Sequence, residues 1–342
     1  MAATGMVPTD KAPYALRRET GDLAKGAAKL AGEIGSTGVE ALLAGANRNM
    51  TGKGAPGALG SMKPKPSQWY AFDDKDQVTV DWYPQGLTCG EDSGSIGVPV
   101  FMASWYFKPE AGERGIRVSF ASPKTLKYQH ALLVQARPDG SYGPIDIHAG
   151  GIAVHGDLLY VADTLRGLRV FDLNNLLDLR TAQSDLGDPN RIGRHGRKFH
   201  AFGYRYVIPQ TDFWQVAQAG PRFSFVSIDR SGATPQLITG EYREGDPGGW
   251  VARWDLAFAG GEPNDAFVMG HPKIQGAISW GGKWYLSQAA SSTTNGKLLV
   301  HAGETLQTRP FPIGPEDLTV QDGKLWSVTE FKGKRVIFGV AL

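Results

Sequence analysis

The chain has a single cysteine, Cys89, among 342 residues. An intrachain disulfide is therefore excluded, and so is a cysteine-based zinc site. Cys89 has no basic neighbour in the sequence that would mark a reactive thiol, so it reads as a small buried side chain. Long apolar runs are also missing: nothing approaches the roughly 20 residues of a membrane span. The start carries no charged-then-apolar leader, and Met1-Ala2-Ala3 reads as an initiator joined to a mature secreted chain. Charge of one sign is not in excess. Lys and Arg total 36 against 34 Asp and Glu, which gives no electrostatic case for nucleic acid as the main partner. No serine sits in a Gly-x-Ser-x-Gly elbow and no Gly-Lys-Ser/Thr occurs, so an α/β-hydrolase triad and a phosphate loop are both unsupported.

What is present points to a large β fold. Hydrophobic residues make up 41% and charged residues 20% of the chain, enough for a substantial core. The 45 glycines and 9 tryptophans suit many tight turns between packed strands. The clearest stretch is 148–173, HAGGIAVHGDLLYVADTLRGLRVFDL. Apolar runs alternate there with the turns His155-Gly156-Asp157 and Arg166-Gly167. This pattern predicts three consecutive antiparallel strands, the spacing of a propeller blade.

Weaker copies share a polar start. They are Gln85-Gly86-Leu87, His148-Ala149-Gly150-Gly151-Ile152, His200-Ala201-Phe202, Gln275-Gly276-Ala277 and Glu316-Asp317-Leu318. Their spacings are 63, 52, 75 and 41 residues, and the longest contains a further pair of strands at 236–256. About 275 residues at a period near 45 gives six blades, with five as the alternative. We therefore expect an all-β, six-bladed β-propeller over residues 67–342. The run Val78-Thr79-Val80-Asp81-Trp82 reads as a strand. Pairing the strand material at 69–82 into the last blade would close the ring. Residues 1–66 differ: Leu16, Leu23, Ala27, Leu30 and Ile34 fall at helical spacings, and residues 51–67 are rich in Gly, Pro and Lys. A short helical extension followed by a flexible linker is expected there.

In a propeller the inner strand of each blade lines the central channel. The five polar starts, Gln85, His148, His200, Gln275 and Glu316, would then converge on one mouth, the default place for a ligand. Asp163, Gln210, Gln288 and Glu330 would lie near the same face or between blades. Trp214, in an expected loop, is the candidate for stacking on a ligand. His148 and Glu316 form the candidate catalytic pair, since a histidine titrates near neutral pH and a carboxylate can orient it. The remaining residues, Gln85, His200, Gln210, Gln275, Asp163 and Trp214, are candidate ligand contacts. No metal site is assigned. One carboxylate plus amides makes a thin calcium site, and no cofactor is expected. The expected protein is a monomer that binds or processes a small-molecule or carbohydrate-like ligand, by hydrolase or lyase chemistry if it is an enzyme. A non-catalytic binding module is the alternative.

The motifs GIAVHGDLLYVADT and GLRVFDL resemble the repeats of NHL-type and gluconolactonase-like propellers. Pro84-Gln85-Gly86-Leu87, Gly115-Ile116-Arg117-Val118-Ser119-Phe120, residues 127–134, Gln275-Gly276-Ala277 and Pro315-Glu316-Asp317-Leu318 are similar to a group of secreted propellers of fungi and filamentous bacteria without settled activity. That resemblance covers most of 82–342 and implies the fold and secretion. Lactonase-like families carry Glu, Asn and Asp as calcium ligands in the channel. This chain departs from them, with no asparagine at an inner-strand start and Gln85 where an acid is expected.

Overall fold

The structure, a computed structural model, describes residues 5–258 and 261–342; Met1-Ala2-Ala3 lies outside the described residues. Its main strands group into five four-stranded antiparallel units, the outer strands of the first two also pairing in parallel within one sheet. Blade I holds Trp82–Cys89, Phe101–Phe107, Ile116–Ser122 and Lys127–Ala136. Blade II holds Ile152–His155, Leu158–Asp163, Gly167–Asp172 and the far half of Tyr206–Val216. Blade III is Phe225–Asp229, Gln236–Gly240, Trp250–Asp255 and Asp265–Val268, and blade IV is Ile274–Trp280, Lys283–Gln288, Asn295–Ala302 and Thr305–Ile313. Blade V takes Pro315–Gln321, Lys324–Thr329 and Val336–Ala341 from the C-terminal end and Gln68–Ala71 from the N-terminal part. This shared blade closes the ring and leaves no open edge between first and last units.

Five units, not six, fill the described chain. The strands at 236–256 are not a unit of their own but the middle of blade III, behind Phe225–Asp229. The long gap that suggested a sixth blade arises because His200 is not an inner-strand start. It lies in a hairpin, Ile192–His195 with Lys198–Ala201, inserted before the outer strand of blade II. The run at 78–82 also differs from the expected strand. Asp73 caps a short helix, Asp74–Val78, by accepting from the Asp76 amide at 2.9 Å. The strand begins only at Trp82.

The N-terminal segment is a belt. Val7–Pro8 adds to the outer strand of blade III, and Leu16–Arg18 adds to Tyr206–Val216 of blade II. The helix Leu23–Ile34 buries Ala27, Leu30 and Ile34 at the junction of blades I and II, among Leu132, Val134, Leu177 and Val207. Ala27, Leu30 and Ile34 keep the expected helical spacing, whereas Leu16 lies in the strand Leu16–Arg18 and Leu23 opens the helix without being buried. Arg48–Asn49 then pairs with blade I, and Thr51–Gly52 with blade V. The turn Pro56–Leu59 buries Ala58 and Leu59 against blades IV and V. The segment therefore contacts the outer sides of all five blades before entering the ring.

Between blades I and V lies a buried polar cluster. Asp76 accepts from Arg117 Nη2 at 2.6 Å, Tyr128 OH at 2.5 Å and His130 Nε2 at 3.0 Å. Burial raises the Asp76 pKa, but the charges of Arg117 and His130 outweigh it and hold the group well below the carboxylate range. His130 is pushed down to about 4 by burial and by Arg117. Ser119 bonds the other ring nitrogen of His130 at 2.9 Å. All three members of this Ser-His-Asp chain are buried; it joins blade I to the helix Asp74–Val78, and Arg335 Nη1, beside blade V, donates to the Asp76 carbonyl at 2.5 Å.

Candidate functional site

The axis is closed by the inner strands themselves. Asp317 on blade V accepts Leu87 N of blade I at 3.4 Å and Ile152 N of blade II at 3.1 Å through Oδ2, and Leu318 N at 3.0 Å through Oδ1. One carboxylate thus ties three blades. The backbones approach so closely that a Cβ on Gly86 would stand 2.5 Å from Ile152 N, and one on Gly151 2.5 Å from Phe225 Cα. Only glycine fits at these two positions. At the far end the short helix Gly90–Ser93 brings Asp92 onto the axis, where it accepts Thr88 Oγ1 at 2.8 Å, Thr319 Oγ1 at 2.5 Å and Arg230 Nε at 2.8 Å. The inner strands begin at the opposite end, the mouth, where Tyr106 and Glu330 are partly exposed.

Gln85 and Glu316 sit one residue before the closed layer, and they are 2% and 1% exposed. Glu316 Oε1 accepts Gln275 Nε2 at 3.1 Å, while Oε2 has no partner. Burial, then the charges of Glu330 and Asp317, push this carboxyl well above its ordinary range and favour its protonated form. A bulge between Pro315 and Leu318 breaks strand alternation. It lets both Glu316 and Asp317 be buried, one bonded to Gln275 and the other to backbone.

Glu330 follows the second strand of blade V and remains partly exposed. Its Oε2 accepts Gln85 Nε2 at 3.0 Å. Burial raises its pKa to about 7, against the opposing influence of Gln85, Arg335 and Lys108. Tyr106 and Tyr242 face the same carboxyls: burial raises both phenols, and Glu316 and Glu330 raise them further. The His148 ring lies 4.3 Å from that of Tyr106, centroid to centroid. His148 is exposed as a residue, while the wall around its ring desolvates it and lowers its pKa to about 4. A cavity of about 400 Å³ opens beside it, lined by Tyr106, Phe107, Glu113, Asp146 and Ile147.

The structure therefore gathers Gln85, Gln275 and Glu316 with Glu330, and places His148 beside Tyr106. No hydrogen bond or ion pair joins His148 to Glu316; their partners are Tyr106 and Gln275. Four other candidates lie elsewhere. His200 Nδ1 accepts Asp188 N at 2.8 Å in the inserted hairpin. Asp163 and Gln210 are buried in blade II, where Arg169 donates to both, at 2.9 and 2.8 Å. Trp214 is in a strand, not a loop, and stacks on Phe258 at 4.4 Å. Its position follows from the Tyr206–Val216 strand running on past the turn that the sequence suggested. Among the inner-strand starts, Ser224-Phe225 of blade III takes the place expected for His200. Glu330 was visible in the sequence as the end of a second strand. Its fellow strand ends Asp163 and Gln288 carry structural bonds, so strand position alone did not separate it from them. Among the described residues no group of three or more His, Cys, Asp or Glu is placed to hold a metal ion.

No family model and no curated protein matches this chain. Solved structures give faint likenesses. Hydrazine synthase of Kuenenia stuttgartiensis is 12% identical, with 73% of this chain and 74% of that one covered and a TM-score of 0.35. A GH43_1 enzyme from Xanthomonas citri is 9% identical, with 93% of each chain covered and a TM-score of 0.38. Likenesses at this level leave the chemistry to be argued from the site itself.

Proposed function

We propose that the mouth of the propeller performs acid–base chemistry, a hydrolase or lyase reaction, on a small-molecule or carbohydrate-like ligand. Glu330 is the proton-transferring group. The observation that supports this is its carboxyl: accessible, oriented by Gln85 and raised to about 7, where it can both give and accept a proton near neutral pH. Glu316 behind it stays neutral and adds no second negative charge at the mouth. Its unpartnered Oε2 is an acid donor for a ligand oxygen once the ligand or a side-chain movement opens that layer. His148, uncharged near pH 7, serves as a neutral hydrogen-bonding group beside Tyr106 and not as the proton-transfer partner of Glu316. The aromatic and amide groups Tyr106, Tyr242 and Gln275 suit a polyhydroxylated ligand. An extracellular setting belongs to the same proposal and rests on the family resemblance alone.

The test is Glu330→Gln in a screen of glycans and small esters. A substrate found with the native protein should lose about 10²-fold or more in kcat with binding retained, as for a general acid or base. A ligand that binds the mouth with no turnover by the native protein would instead establish the non-catalytic module.

A further inference from the structure

A second cavity, about 540 Å³, lies away from the mouth. It is bounded by the belt at residues 62–67, by the outer strand of blade IV, and by the second and third strands of blade V. None of the mouth residues lines it. Its volume falls within the usual range for a ligand pocket, about 300–1,000 Å³.

Its floor is apolar. Met62, Pro66 and Leu298 are buried there, and Val340 is partly so. Its rim is cationic: among the described residues Lys63, Lys65, Arg309 and Lys324 line it, with Asp322 as the one acid. Among the described residues none of these four cations is in an ion pair. Arg309 donates to the Ala341 carbonyl at 3.1 Å and to Gln307, and Lys324 to Gln68 Oε1 at 2.6 Å, all neutral acceptors. Lys63 and Lys65 are exposed. A chain with a net charge of only +2 thus gathers four cations against one acid around one apolar hollow.

We propose that this cavity binds a single-chain amphiphile with an anionic head, such as a medium-chain carboxylate. The alkyl chain covers Met62, Pro66, Leu298 and Val340, and the head meets the lysines and Arg309. A peptide fits less well. Pro310 and Pro312 remove amides from the bordering edge strand, which opposes the addition of a peptide strand.

The probe is decanoate, followed by calorimetry on the whole chain below its micelle concentration. Saturable binding is expected. It should weaken at least tenfold in Lys65→Glu/Lys324→Glu and fall as salt rises. Octanoate, two methylenes shorter, should bind about fifteenfold more weakly than decanoate, since each methylene contributes ~0.8 kcal/mol, a factor of about four. Lys65→Gln, at an exposed position, repeats the test if the double variant does not fold. Any of four results overturns the proposal: acetate binding as well as decanoate, decanol binding as well as decanoate, hexaglutamate binding more tightly, or charge reversal without effect. The site lies apart from Glu330, so either outcome leaves the reading of the mouth untouched.

Discussion

Gln85 and Glu330 lie 245 residues apart in sequence and meet at the mouth, Nε2 to Oε2, at 3.0 Å. Gln85 belongs to the first inner strand and Glu330 to the last blade, so the contact exists only once the ring has closed. The bond favours the ionised carboxylate, yet burial outweighs it and the pKa stands near 7.

That balance gives a pH signature in stability. A carboxyl raised in the folded state keeps its proton after the unfolded chain has lost its own. Below about pH 4 both states are protonated and the group is neutral in effect; between about 4 and 7 stability falls as pH rises, and above that it levels off. Glu330→Gln removes the penalty. The melting temperature of the variant should match the native protein near pH 4 and exceed it by a few degrees near pH 8. An advantage that is the same at both ends of the pH range would show that Glu330 does not carry the raised pKa.

The axis offers a second check. Asp317 accepts backbone N–H groups of Leu87, Ile152 and Leu318. Asp317→Ala leaves buried donors unmet, each worth about 1–3 kcal/mol. Loss of roughly 3–5 kcal/mol is expected in urea unfolding, with a smaller loss for Asp317→Asn, which keeps one acceptor oxygen. Equal losses for both would assign the effect to packing and not to the tie between blades.

The sequence carried the blade pattern because strand alternation and turn glycines are local. Residues 152–172 fold as their spacing predicts, into Ile152–His155, Leu158–Asp163 and Gly167–Asp172. The motif of a polar residue before a glycine was legible for the same reason: Gly86 and Gly276 stand where inner strands touch. His200 shows where that reading stopped. His200-Ala201-Phe202 resembles an inner-strand start, but it belongs to an insertion, and only tertiary placement separates the two. The pairing of Gln85 with Glu330, and of Gln275 with Glu316, depends on ring closure and on a bulge at Pro315, neither of which has a period to read. The belt was hidden for a similar reason. Its two- and three-residue strands are too short for alternation, and they form because an outer blade edge is already there.

The joint between blades I and V carries a further prediction. Among the described residues Asp76 is the only carboxylate paired with the buried guanidinium of Arg117, and His130 depends on it as well. Asp76→Ala strands that cation in the interior, at about 3–5 kcal/mol. A double change, Asp76→Asn with Arg117→Met, should recover part of the loss in thermal unfolding. If the single change costs under about 1 kcal/mol, the cluster is water-filled and not a joint.

The belt itself can be loosened at one clasp. Asn295 of blade IV accepts Ser61 N at 2.8 Å and donates to Leu59 O at 3.0 Å and Phe311 O at 2.7 Å. It therefore pins the turn at 56–61 to the outside of the ring. Asn295→Ala removes these bonds at a partly exposed site, where local opening is governed by few contacts. Amide exchange over residues 56–67 should accelerate by about tenfold or more, the equivalent of one or two lost hydrogen bonds. The inner strands should keep their protection, since their ladders pair with the second strands of their own blades and do not pass through the belt. Faster exchange in the inner strands of blades I to III would show instead that the belt is part of one cooperative unit with the ring.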